Sequence, residues 1–237
     1  MKPLVNHPPA ILITAGTRGI GRAIALRFLN EGFLVFTCGS SNESVNSLQN
    51  EDSSGRLHVS RVNLENREEL LTWIAGVEAE ISSLNILVNN AGIFLPGSIE
   101  SEEDGVFEKI INLNLASAYH TSRAVLPLLR KAEKAHIFSV CSTASIMAYP
   151  NGGSYCISKF GLLGMTRVLR EELKPSGIRV TALLLGATFT DSWAGAGLPP
   201  ERFMKAEEVA DTVFAAWSLS PGSVVEEILM RPQAGDI

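Results

Sequence analysis

The stretch TAGTRGIG, residues 14–21, follows the apolar run Ala10-Ile11-Leu12-Ile13 and leads into RAIALRFLNEG, which has helical periodicity. A strand that feeds a glycine-rich turn and then a helix makes an anion site. The first N–H groups of the helix lack partners, and its dipole leaves that end positive. Gly19 and Gly21 stand at the entry to the helix. Missing side chains there let a pyrophosphate approach the backbone and let the helix pack closely on the strand. Such turns also serve as plain tight connections, so the rest of the chain has to decide.

Apolar runs rich in Val, Ile and Leu recur at 10–14, 33–37, 57–62, 85–88, 135–140, 178–185 and 224–230. Most do not alternate, as expected of strands buried on both faces of a parallel sheet. Helix-period segments lie between them near 20–31, 67–82, 102–131, 154–174 and 206–218. This alternation predicts an α/β fold, a doubly wound and mostly parallel sheet of about seven strands with helices on both faces, in three α/β/α layers. No linker, internal repeat or composition break interrupts it, which predicts a single domain over 1–237. The polar stretch SSNESVNSLQNEDSSG, 40–55, predicts a short helix and loop, with 44–55 largely a solvated connection.

Composition excludes several functions. Twenty basic residues against 25 acidic ones give a net charge of −5, and no basic tract appears, which argues against nucleic acid or an anionic membrane as partner. MKPLVNHPPA has no long apolar core, so no signal peptide is expected, and no apolar run approaches the ~20 residues that span a bilayer. Cys38, Cys141 and Cys156 fit neither a disulfide framework nor a metal-ligand spacing, and His7, His58, His120 and His136 are scattered. A soluble cytoplasmic protein without a metal is expected.

The second apolar run ends in FLVFTCGSS, residues 33–41. Dinucleotide-binding sheets that take NAD place Asp or Glu at this strand end, where it grips the ribose hydroxyls. Here Gly39 is followed by Ser40 and Ser41. A carboxylate would repel a 2′-phosphate, whereas small hydroxyl residues at a helix start donate to one. Arg18 in the first turn supplies positive charge. The reading is NADP(H) in preference to NAD(H), with Arg18 as a merely solvated cation the competing view.

The segment CSTASIMAYPNGGSYCISKFGLLGMTRVLREEL, 141–173, carries Tyr155 and Lys159 at i, i+4, one turn apart on one helix face. A phenol is a poor proton donor and acceptor at neutral pH, and an ammonium one turn away stabilises its ionised form. Ser142, thirteen residues before Tyr155, follows the apolar AHIFSV at a strand end, where its hydroxyl could hydrogen-bond a carbonyl oxygen. A Tyr–Lys pair alone is usually a surface pair.

Taken in order, Thr14-Ala-Gly-Thr-Arg-Gly-Ile-Gly21, Asn89-Asn90-Ala91-Gly92, Asn114, Ser142 and Tyr155/Lys159 resemble the short-chain dehydrogenase/reductase family over roughly residues 10–235. The resemblance implies a Rossmann fold and a carbonyl reductase or alcohol dehydrogenase using NADP(H). Tyr155 would be the general acid and Lys159 would hold the nicotinamide ribose. Ser142 would polarise the carbonyl, and Asn114 would position a water relaying protons to Lys159. The cofactor would lie against Thr14, Gly16, Thr17, Arg18, Gly19, Ile20, Gly21, Gly39, Ser40 and Ser41. It would continue past Asn63 and Leu64, then Asn90, Ala91 and Gly92, to Gly186, Thr188 and Thr190. Leu185 replaces the proline usual before Gly186, and Ala15 stands at the family's first glycine; Ala15 is predicted to have φ < 0, since positive φ would cost an alanine about 1 kcal/mol.

Selectivity in this fold comes from loops at strand carboxyl ends. The candidates are Ala144–Tyr149, Phe94–Gly97 and the Gly/Pro-broken Trp193–Phe203, a lid, with Ala144, Tyr149 and Trp193 as substrate contacts. The loops YCISKFG and ATFTDSW and the C-terminus look like the bacterial sepiapterin-reductase-like branch, which suggests a pterin side-chain ketone as one substrate. Apolar stripes on 114–131 and 154–174 exceed what one sheet face can cover, and the resemblance implies a homodimer or homotetramer through them. The competing class is an NADP-sensing regulator without turnover.

Overall fold

The computed structural model describes residues 8–191 and 197–236. Seven strands, β1 (Ala10–Ile13), β2 (Leu34–Gly39), β3 (Leu57–Arg61), β4 (Ile86–Asn89), β5 (His136–Ser142), β6 (Arg179–Leu185) and β7 (Glu227–Met230), form one sheet in the order β3-β2-β1-β4-β5-β6-β7. All neighbouring pairs are parallel. The helices are α1 (Gly19–Asn30), α2 (Asn42–Gln49), α3 (Arg67–Glu80), α4 (Val106–Ile111), α5 (Ser117–Leu129), α6 (Gly153–Leu173) and α7 (Ala206–Ser218).

The continuous apolar runs are strands because both faces of the sheet are covered. Ile11, Ile13, Ile86 and Val88 pack with Ile24 and Phe28 of α1, Leu48 of α2 and Val209 and Val213 of α7. The intervening Leu12, Phe36 and Leu87 face Leu70 and Ile74 of α3 and Val125 of α5. Side chains alternate between faces with period two, so central strands such as β1 and β4 are buried at every position, while the edge strands β3 and β7 are partly exposed. Phe28 is fully buried and meets the rings of Phe33 and Phe214 edge-on at 5.0 and 5.4 Å. Burial of a side chain of this size stabilises the fold by about 1.5–3 kcal/mol.

The predicted strands and most helices stand where the sequence puts them, with one correction at 102–131. The short helix and loop expected over 40–55 are present, and most of 44–55 is exposed. Ser41 accepts from the Ser44 N–H and starts α2, which buries Leu48 against the sheet. The segment 102–131 is not one uniform helix: Gly105, at φ 90°, delays the start to Val106, and a wide π turn at Asn112–Ala116 separates α4 from α5. That π turn carries Asn114.

The chain leaves β1 to build β2 and β3 on one side, then crosses to β4 on the other. A crevice therefore opens at the carboxyl ends of β1 and β4, the position where such sheets bind ligands. The opposite edge is structural. The buried Arg179 donates to the carbonyls of Ala216, Trp217 and Leu219 at 3.3, 2.9 and 3.2 Å, closing the C-terminal end of α7. Beside it, His136 is fully buried and stacked on Phe138 at 3.9 Å. Its Nε2 lies 2.7 Å from Thr181 Oγ1, whose own proton goes to the Val225 carbonyl, so Nε2 is the donor.

Burial, then the charges of Arg179 and Lys134, hold the His136 imidazole well below its ordinary range. The unfolded chain therefore binds the extra proton first, and stability falls as pH drops below about 6.5. Denaturation of the wild type is expected to lose roughly 1 kcal/mol between pH 6.5 and 5.5 that His136→Gln does not lose. Equal pH slopes for the two proteins would contradict this placement.

Candidate active site

The glycine-rich turn is held by ties from three strand ends. The Asn90 side-chain amide donates to the carbonyls of Thr14 and Ala15, both at 3.0 Å. Thr14 Oγ1 accepts the N–H groups of Asn90 and Ala91 at 3.0 Å, joining β1 to β4. From β2, Thr37 Oγ1 accepts the Gly16 N–H at 3.0 Å and donates to the Ile13 carbonyl at 2.8 Å. Cys38 Sγ accepts the Ala15 N–H at 3.5 Å; burial pushes that thiol up to about 12, so it stays protonated.

Ala15 has φ 53°, contrary to the expectation of a negative value. The turn holds two left-handed residues, Gly19 at φ 51° and Ala15, and the bonds to Cys38 and Asn90 hold the second. Gly16 answers a different need, since a Cβ there would collide with Thr37 Oγ1. The glycine is thus not displaced. Ala15 bears strain of about 1–2 kcal/mol, which the surrounding ties offset. Gly21 is likewise required, because a Cβ would collide with Asn90 Nδ2 and lie 2.8 Å from Gly16 Cα.

Helix α1 then begins with no side-chain cap and no acid in its first turn. The N–H groups of Gly19, Ile20 and Gly21 meet no acceptor among the described residues. These donors, with the dipole behind them, fit a pyrophosphate. Thr190 lies over this turn, its Cγ2 3.0 Å from where a Gly19 Cβ would be. Thr188 is buried, its hydroxyl on the Gly186 carbonyl at 3.2 Å, and it bridges to Met204.

At the β2 end, Gly39 sits against Thr17, Ser40 is exposed, and Ser41 caps α2. Arg18 is exposed, with Nη1 3.8 Å from Asp191 Oδ2. Arg61, which the sequence reading passed over, ends β3 opposite Gly39 in register and is exposed. Only the parallel register reveals that neighbour. Asn63 is exposed and accepts the Glu65 N–H at 3.1 Å, while Leu64 is buried.

Across the crevice, Tyr155 and Lys159 lie on α6. Lys159 is 4 % exposed, and its Nζ donates to the Val140 carbonyl at 2.8 Å and stands 5.7 Å from the Tyr155 ring centre. An ammonium has three donors, so two remain for a ligand. Asn114 is fully buried; its amide exchanges bonds with the Ile93 backbone at 2.8 and 3.0 Å and donates to Ser158 Oγ at 3.1 Å. A Cβ on Gly92 would lie 3.4 Å from both Asn114 Oδ1 and Lys159 Nζ, so these two line one space. Ser142 ends β5, and its Oγ accepts the Ala144 N–H at 3.1 Å, leaving the hydroxyl proton to donate outward.

Of the proposed substrate contacts, Ala144 is buried, and Trp193 lies outside the described residues. Tyr149 is 38 % exposed; burial and the adjacent Tyr155 hold its hydroxyl above the ordinary phenol range, so it remains a donor. The Phe94 ring meets Tyr155 edge-on at 4.9 Å.

The model of the short chain dehydrogenase family matches residues 9–198. The chain belongs to that family of oxidoreductases. It is 27 % identical to a sepiapterin reductase of Chlorobaculum tepidum, over 96 % of this chain and 97 % of that one. It is 30 % identical to a 3alpha-hydroxysteroid dehydrogenase of Mediterraneibacter gnavus, over 92 % and 93 %. Its fold superposes on a metagenomic short-chain oxidoreductase in complex with NADP with a TM-score of 0.83, at 25 % identity over 96 % and 98 % of the two chains.

The strained turn is open to direct test. Ala15→Gly is expected to raise the unfolding free energy by about 1 kcal/mol, while Gly16→Ala lowers it by more, as measured by urea denaturation. The opposite order would contradict the assigned backbone.

Proposed function

We propose that this short-chain dehydrogenase is a cytoplasmic NADPH-dependent carbonyl reductase, reversible as an alcohol dehydrogenase, acting on a small ketone or secondary alcohol. The observation that carries the reading is the shared space bordered by Lys159, Asn114 and Gly92, beside Tyr155 and opposite the uncapped start of α1. When bound, the cofactor supplies a hydride to the carbonyl carbon. Tyr155 gives its hydroxyl proton to the carbonyl oxygen, and Ser142 donates a hydrogen bond to the same atom. Lys159 keeps an ammonium beside the phenol and offers its two free donors to the ribose. Asn114 holds the backbone around Ile93 and the polar path behind Lys159.

For the cofactor, a β2 end without a carboxylate and the exposed Arg18 and Arg61 support a 2′-phosphate. The relative of known structure that holds NADP agrees with that choice. A pterin side-chain ketone is the second reading. Phe94 and Tyr149 beside Tyr155 favour a flat ring, and the chain is similar to a sepiapterin reductase. Association of two or four copies is supported by Phe107, Tyr119, Ile157, Phe160 and Val168, all exposed on α4–α6. Val125, Leu128, Leu162 and Leu163 of the same stripes are core instead.

Two measurements follow. NADPH oxidation with a panel of ketones, diketones and pterins should occur in the wild type and drop by about 100-fold or more in Tyr155→Phe, which keeps the ring and loses the proton. Undiminished turnover would refute the acid role, and binding of NADPH with no turnover of any carbonyl would favour the sensing regulator. Arg18→Ala should raise KM for NADPH about tenfold or more and leave NADH nearly unchanged; equal effects on both would refute its contact with the phosphate.

A further inference from the structure

Helix α6 starts at Gly153 two residues before Tyr155, and its N-cap, Gly152, has no side chain to accept the first N–H groups. The acceptor comes from 52 residues earlier. Glu102 Oε1 accepts the Ser154 N–H at 2.9 Å, and Glu102 Oε2 accepts the Ser154 hydroxyl. A carboxylate there also opposes the positive end of the helix dipole.

Three further features serve this contact. A Cβ on Gly153 would collide with Glu102 Oε1 and lie 2.6 Å from the Gly97 carbonyl oxygen. A Cβ on Gly97 would lie 2.8 Å from Glu102 Cγ. The Gly97 N–H donates to the Asn151 carbonyl at 3.0 Å, and Asn151 takes φ 61°, a left-handed conformation that few residues besides glycine and asparagine adopt readily. The backbone on both sides is thus shaped to bring loop and helix together.

The same loop carries Phe94, whose ring touches Tyr155, and is tied at Ile93 to Asn114. Lys159, one turn beyond Tyr155, is bound to Val140 of β5. We propose that Glu102 is a positioning residue for Tyr155: it fixes the first turn of α6 to the loop bearing Phe94, so that phenol, aromatic neighbour and Lys159 keep one register. This rests on the catalytic reading of Tyr155 given above.

The test compares full-length wild type, Glu102→Ala, Glu102→Gln, Ser154→Ala and Tyr155→Phe. Each is assayed for kcat with NADPH and 1-phenyl-1,2-propanedione or whichever panel carbonyl the wild type turns over, and for NADPH affinity by fluorescence titration. Glu102→Ala should lower kcat about tenfold or more, because small misplacement of a reacting group is costly. NADPH affinity should stay within about twofold, since the cradle at α1 is untouched. Glu102→Gln, which keeps an acceptor for the Ser154 N–H, should recover most of kcat, and Ser154→Ala should lose severalfold. A Glu102→Ala enzyme with wild-type kcat overturns the assignment. So does equal loss of kcat and NADPH affinity in Glu102→Ala and Glu102→Gln alike, which marks a merely structural role. If Glu102→Ala fails to fold, Ser154→Ala with unchanged kcat overturns it instead. Full activity in Tyr155→Phe, or no turnover by the wild type, sinks the catalytic reading on which the assignment stands.

Discussion

The side-chain amide of Asn90 bonded to the carbonyls of Thr14 and Ala15 is the constraint on which the site depends. It joins the ends of the two strands between which the crevice opens and fixes the turn that aims α1 at it. Two consecutive carbonyls facing one amide require a sharp bend, and the bend requires a left-handed residue. The tie, with the Ala15 N–H bond to Cys38, holds the strain at Ala15, and its amide fills part of the space a side chain at Gly21 would need.

The same logic recurs across the crevice. The three polar groups that accompany Tyr155 in the proposed chemistry are each anchored by backbone. Lys159 is held by Val140, Ser142 by Ala144 and Asn114 by Ile93. Fixing the polar groups to strand ends and loop backbone leaves the remaining donors of Lys159 and Ser142 pointed in known directions before any ligand arrives, which lowers the ordering cost of binding. Glu102 extends this pattern to the start of α6, where the helix itself provides no cap.

Much of this was legible in the sequence. Strands buried on both faces read as unbroken apolar runs, so Ile11–Ile13 and Ile86–Val88 declared themselves. Gly19, Gly21, Tyr155 and Lys159 act within one turn of chain, where spacing alone carries the geometry. What escaped depends on contacts distant in sequence. The sign of φ at Ala15 is decided by Cys38 and Asn90, 23 and 75 residues away. Arg61 becomes relevant only through its register with Gly39, and Glu102 only through a helix start 52 residues on. The short helix α2 was legible in the polar stretch, but its anchor, Leu48, shows only once the sheet is there to receive it.

The central claim is that Tyr155, Lys159 and the glycine-rich turn serve hydride transfer rather than cofactor sensing. The most direct measurement is isotope transfer. The wild-type protein is incubated with NADPH deuterated at C4 and the carbonyl panel, and the alcohol products are examined by mass spectrometry and NMR. The account predicts deuterium at the carbinol carbon of at least one product, delivered from one labelled face of the cofactor and not the other. Saturable NADPH binding with no label in any product would contradict it.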